Sequence, residues 1–172
     1  LPLLKCEVKS VVNGLVTVEV NADRPDMFSV EGIVRALKGF LNIKTGYPTY
    51  INKKGKTSVL VTRNVEAIRP FIAAGVIRNV YITEHFLDQM IQIQEKLHET
   101  LGRKRAKASI GIYDLDKVSG SFTYTACKPE EIMFTPLEEN RPMTGREILS
   151  LTPKGREYGS LIEGSDLYPL LI

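Results

Sequence analysis

The densest charge in the sequence is Arg103-Lys104-Arg105-Ala106-Lys107, four cations in five residues directly after Gly102. Guanidinium groups grip phosphate oxygens in pairs, so one reading is a phosphate-holding loop. The other is a solvated cluster that complements the negative end of a preceding helix. That helix carries Gln89, Gln92, Gln94 and Glu95 on its polar side, either as a solvated face or as part of a pocket lining. His98 sits beside the apolar Leu97. As a general base it would need a partner and a substrate within reach; as a half-buried structural ring it would need no substrate. Asp114 and Asp116 are two apart after an apolar stretch and share one side, where they either hold a cation or form a turn. In Asp23-Arg24-Pro25-Asp26 two carboxylates bracket an arginine. Pro25 restricts Arg24 to extended geometry, which predicts an ion-paired turn ahead of a helix.

Other chemistries are absent from the sequence. There is no phosphate loop, dinucleotide fingerprint, nucleophile elbow or paired-histidine motif. Cys6 and Cys127 are far apart and in no metal-type spacing, so they read as reduced structural thiols and no metal site is expected. With 172 residues the chain is long enough to bury a core without disulfides. At 43% hydrophobic and 25% charged residues it is neither collagen-like, disordered nor membrane-spanning. Its apolar runs fall far short of the ~20 residues a bilayer requires. A net charge of +3, from 23 basic and 20 acidic side chains, is too small to announce nucleic acid by itself. The chain opens without Met and closes on Tyr168-Pro169-Leu170-Leu171-Ile172, so both ends read as cut from a longer protein.

The elements that position these residues follow from periodicity. Strands are expected at 3–8 and 15–20, joined at Asn13-Gly14, a strong hairpin signal. Val30, Ile33, Val34, Leu37 and Leu41 fit one helical face, with Asp26 or Ser29 as the cap. Residues 42–57, with Gly46, Pro48, Asn52 and Gly55, form the best linker. They place a domain boundary at 50/51, giving domains 1–50 and 51–172. Strands are expected at 58–62 and 71–81, the latter bending at Gly75. Thr83 caps a helix with the apolar stripe Phe86, Met90, Ile93 and Leu97, ended by Gly102 as a left-handed cap. Strands at 109–113 and 121–127 follow, then a proline-broken stretch to Pro142. Thr144-Gly145-Arg146-Glu147 reads as a capping box opening a short helix. Lys154 to Gly159 reads as a loop or turn, and 167–172 as a final strand. The irregular mixture predicts an α+β fold.

Several of these stretches together resemble one family. Asp23-Arg24-Pro25-Asp26-Met27-Phe28-Ser29-Val30-Glu31-Gly32 with Arg35 is similar to the helix leader near the start of phenylalanyl-tRNA synthetase beta subunits, with Asp23 in place of the commoner Asn. The runs Met90–His98 and Gly102–Arg105 resemble the archaeal and eukaryotic branch. So do Gly111–Lys117, Lys154–Gly159 and Tyr168–Ile172. No inserted oligonucleotide-binding barrel of the bacterial kind is visible.

The resemblance implies an enzyme that attaches phenylalanine to tRNA(Phe) with ATP and Mg, as a cytoplasmic tetramer of two alpha and two beta subunits. The beta subunit would carry an editing domain that hydrolyses wrongly attached tyrosine. This chain would span a small α+β docking domain, 1–50, and the first part of a larger mixed α/β editing-type domain, 51–172. The Mg segment and much of the editing pocket would lie beyond Ile172, so no cofactor is expected in this stretch and no catalytic residue is named in it. The expected partners are the alpha subunit and tRNA(Phe), with no membrane; the alternative is a non-catalytic scaffold or RNA-binding module. Asp23, Arg24 and Asp26 would form a structural turn at the subunit interface. A chain reversal at Gly102 would bring Gln94, Glu95, Arg103 and Arg105 to one cleft, with Leu170 as an apolar wall.

Overall fold

The computed structural model describes residues 2–118 and 120–172. After a short 3-10 turn at Pro2–Leu4, strand β1 (Cys6–Val12) pairs antiparallel with β2 (Leu15–Val20). Asn13 and Gly14 both take positive φ, 50° and 80°, which turns the hairpin between them. The register shifts between Val8 and Ser10, the position of Lys9. Glu7 faces Glu19 across the strands, an unfavourable like-charge pair. Lys9 Nζ bridges both carboxylates at 2.9 and 2.8 Å, and these bonds push its pKa up to about 12.

A 3-10 turn at Pro25–Met27 leads into helix α1 (Val30–Phe40). Ser29, rather than Asp26, is its cap, accepting from the Gly32 amide at 3.2 Å. Strand β3 (Val59–Val61) follows the irregular 42–57 stretch, and helix α2 spans Glu84–Glu99. Strand β4 (Phe122–Cys127) lies between β3, parallel, and β7 (Tyr168–Leu171), antiparallel. The small pair β5 (Met133–Phe134) and β6 (Met143–Thr144) precedes helices α3 (Gly145–Leu151) and α4 (Pro153–Tyr158). The class is α+β, as the sequence indicates.

Two compact units result: 1–52 with 80–111, and 53–79 with 112–172. A single cut at 50/51 does not describe them, because 80–111 belongs with the first unit. In that unit Met27, Cys6 and His98 are fully buried, with Cys6 Sγ 3.9 Å from Met27 Sδ. In the second unit Val65, Tyr124 and Ala126 make the core, flanked by Val59, Ile68 and Leu167. The Tyr124 hydroxyl donates to the Arg69 carbonyl at 2.8 Å, and burial raises its pKa. Asn64 reaches Thr125 and the Ala126 carbonyl from the end of β3, fastening its turn to β4.

Four local expectations need correction. The first strand starts at Cys6, since residues 2–4 form a 3-10 turn. Residues 71–81 form no strand: the chain passes from one unit to the other at 79/80, and Phe71, Ile77 and Tyr81 are 91%, 85% and 88% exposed. Residues 109–113 also form no strand, for a reason that belongs to the site below. Lys154–Gly159 contains a helix, because Thr152 caps it and Pro153 supplies the favoured first residue.

Candidate functional site at the end of α2

Thr83 opens α2 by accepting from the Phe86 amide at 3.1 Å, and Phe86, Met90, Ile93 and Leu97 form its half-buried stripe. The last turn closes when the Thr100 hydroxyl donates to the Lys96 carbonyl at 2.6 Å. Lys96 Nζ donates to the Phe28 carbonyl at 3.0 Å, which ties α2 to the turn before α1.

The helix ends at Glu99 with Thr100 as its cap, so Gly102 lies two residues past the cap, and it is not left-handed. It is needed for space: a Cβ there would lie 2.6 Å from the Ala108 oxygen and 2.7 Å from the His98 oxygen. The left-handed residues are the next three, Arg103, Lys104 and Arg105, at φ 50°, 54° and 68°. Each non-glycine residue held there costs roughly 1–2 kcal/mol. The turn is held by the Lys107 amide donating to the Gly102 carbonyl at 2.8 Å and by a two-pronged ion pair. Arg105 Nη2 lies 2.7 and 2.9 Å from the two Glu95 oxygens. Those hydrogen bonds hold the Glu95 carboxyl below the usual carboxylate range, against an opposing effect of burial.

Glu95 Oε1 also meets His98 Nδ1 at 3.3 Å. His98 is 1% exposed, and its Nε2 accepts from the Ile110 amide at 2.8 Å. A backbone amide can only donate, so the neutral ring carries its proton on Nδ1, toward Glu95. With that lone pair occupied, His98 is a structural ring and not a general base. Gln94 Nε2 donates to the Ile110 carbonyl at 2.6 Å. Both polar groups of Ile110 are thus satisfied by helix side chains, which is why 109–113 lies against α2 without joining a sheet.

The structure therefore brings Gln94, Glu95 and Arg105 together, with His98 and Ile110 among them. Arg103 stands exposed on the same turn. Leu170 lies in the second unit, opposite Thr125 in the β4–β7 ladder. The spacing of Glu95 and His98, three apart on one helical face, carried the signal for their contact. The Lys96 bond to Phe28 had no signal in the sequence.

Elsewhere, Arg24 Nε and Nη2 grip Asp26 at 2.9 and 2.8 Å, and Lys5 pairs with Asp23 at 2.7 Å. The expected ion-paired turn is formed. Asp114 accepts from the Asp116 amide at 3.1 Å, the turn reading of that pair. The second unit has a concavity of about 840 Å³ lined by Lys128, Arg146, Arg156 and Tyr168 among others. Arg146 is held by Glu130 and Arg156 by the Leu151 carbonyl. Among the described residues no three His, Cys, Asp or Glu side chains are grouped to hold a metal ion. Among the described residues no helix is long and apolar enough to cross a membrane.

No family model matches the chain. It is 44% identical over all 172 residues to the phenylalanine–tRNA ligase beta subunit of Methanosphaera stadtmanae, and 40% to that of Archaeoglobus fulgidus. In each it spans 31% of the relative's length. It also superposes on the crystal structure of an N-terminal fragment of the phenylalanyl-tRNA synthetase beta subunit from Pyrococcus horikoshii. That match has a TM-score of 0.88 at 41% identity and covers 98% of this chain and 50% of that one. The chain belongs to the phenylalanyl-tRNA synthetase beta-subunit family. Collinearity across so many separate stretches decides this, since no single motif here is specific.

Proposed function

We propose that this chain serves, within a phenylalanyl-tRNA synthetase beta subunit, in hydrolytic removal of tyrosine from tRNA(Phe) and in assembly with an alpha subunit. The enzyme would be a cytoplasmic tetramer of two alpha and two beta subunits, charging tRNA with phenylalanine at the expense of ATP. The need for such editing is physical. A hydrophobic pocket rejects a ligand that merely adds a hydroxyl by only about a hundredfold. A second pocket that hydrogen-bonds this hydroxyl reverses the preference, since phenylalanine would leave its polar groups unmatched.

The observation that carries the reading is the rigid cluster of Gln94, Glu95 and Arg105, an amide, a carboxylate and a guanidinium held on one turn. Arg105 would steady phosphate or carbonyl oxygens of the aminoacyl end without exchanging a proton, since arginine stays protonated in proteins. Gln94 would orient the ester. In the first unit the Asp23–Asp26 turn would serve docking to the alpha subunit, and the cluster at the end of α2 would serve editing.

One observation favours a second reading, a non-catalytic scaffold. Gln94, Glu95 and Arg105 already bond to groups within the chain. Incubating Tyr-tRNA(Phe) with the full-length beta subunit and its partner separates the two. Release of tyrosine well above the spontaneous rate supports editing; release at the spontaneous rate leaves the scaffold.

A further inference from the structure

We propose that Arg103, Lys104 and Lys107, on the left-handed turn after α2, form a docking surface for the sugar–phosphate backbone of RNA. This rests on the reading above, in which the substrate is a tRNA, and adds where its backbone is held. Three consecutive non-glycine residues at positive φ are a costly surface feature. Such outliers persist where the surroundings over-determine them, and they gather at functional positions. Here the surroundings are Gly102 packed on the His98 and Ala108 carbonyls, the Lys107–Gly102 bond, and the Arg105–Glu95 pair. Arg105 is used as the anchor. The other three cations are exposed, and among the described residues none has a carboxylate within ion-pair distance. By contrast Arg24, Arg141 and Arg146 each have one.

Complementing the α2 dipole does not account for them. That effect falls off within the last helical turn, and the helix ends at Glu99, four residues before Arg103. The last turn already has the Lys96 ammonium. A fixed turn presenting flexible cations suits a repeating anion whose charges are set by its backbone. It positions RNA without reading its sequence, as phosphate contacts do.

The test uses the full-length subunit in its complex and measures tRNA(Phe) binding between about 50 and 200 mM salt, where counterion release sets the slope. The Arg103→Gln/Lys104→Gln/Lys107→Gln variant should lower the slope of log Kd against log salt by about 2 to 3, at roughly 0.7–0.9 per lost phosphate contact. It should weaken low-salt binding at least tenfold. If that variant misfolds, Arg103→Glu alone should lower the slope by about 1. Neutralising Lys53, Lys54 and Lys56, cations on irregular backbone, should leave the slope in place. An unchanged slope in the first two variants, or an equal fall in the control, overturns the proposal; so does a fall seen with polyglutamate and not with tRNA. Tyr-tRNA deacylation is followed in parallel, where KM for tRNA should rise more than kcat falls. A wild-type complex that binds tRNA but never releases tyrosine removes the editing reading, while the salt slope still decides docking.

Discussion

Glu95 holds two neighbours at once, Arg105 through both oxygens and His98 through one. Its folded pKa is depressed, chiefly by the Arg105 hydrogen bonds. The contribution of this pair to stability is therefore fully present above the unfolded carboxyl value near 4.5 and is lost as pH falls through the lower folded value. Protection of the Ile110 amide against hydrogen exchange, taken relative to the intrinsic rate at each pH, should report this, being high at neutral pH and lost once Glu95 is protonated. In Glu95→Gln that amide should already exchange quickly at neutral pH. Slow exchange throughout in the variant would mean that the carboxylate does not hold the turn. Gly102→Ala should be harsher, since the added carbon meets two carbonyl oxygens under 3.0 Å away. A loss of roughly 1–3 kcal/mol by denaturant unfolding is expected; a neutral result would show that the turn can move aside.

At the scale of elements, capping chemistry was the most legible signal. Thr144 accepts from the Glu147 amide while Glu147 accepts from the Thr144 amide, the reciprocal box that the Thr-Gly-Arg-Glu spacing announces. Thr144→Ala should destabilise the fold by about 1 kcal/mol. For a chain of this size that is about 2–4 °C in Tm, measurable by thermal unfolding. The hairpin turn and the start of α2 were equally readable, since each is settled by residues in direct sequence contact. Less legible were elements whose fate depends on distant partners. Residues 109–113 have strand composition, but Ile110 is bonded by Gln94 and His98, and no local pattern reveals that. Lys154–Gly159 reads as a loop or turn, where the structure has a helix. Gly155 is a packing glycine, its missing Cβ leaving room for the Ile148 carbonyl. The convergence of Glu95 and Arg105 was readable because Gly102 forces a reversal between them. The left-handed run after it was not, since arginine and lysine carry no such preference.

For the whole molecule, the two units divide the chain by contact rather than by sequence order. The Arg24–Asp26 pair organises the entry to α1 in the first unit. If that turn docks the alpha subunit, Arg24→Ala should weaken tetramer assembly in sedimentation while sparing deacylation in the tetramers that form. Undisturbed assembly would place the docking surface elsewhere. The central claim is that the α2-end cluster serves the removal of tyrosine, and it is tested most directly by deacylation of Tyr-tRNA(Phe) in the full enzyme carrying Gln94→Ala or Arg105→Ala. Phenylalanine charging serves as the control. The expected result is a fall of at least about tenfold in deacylation, the effect of roughly 1.4 kcal/mol at the transition state, with charging preserved. Deacylation at the wild-type rate in both variants would contradict the claim and leave the cluster a structural clasp.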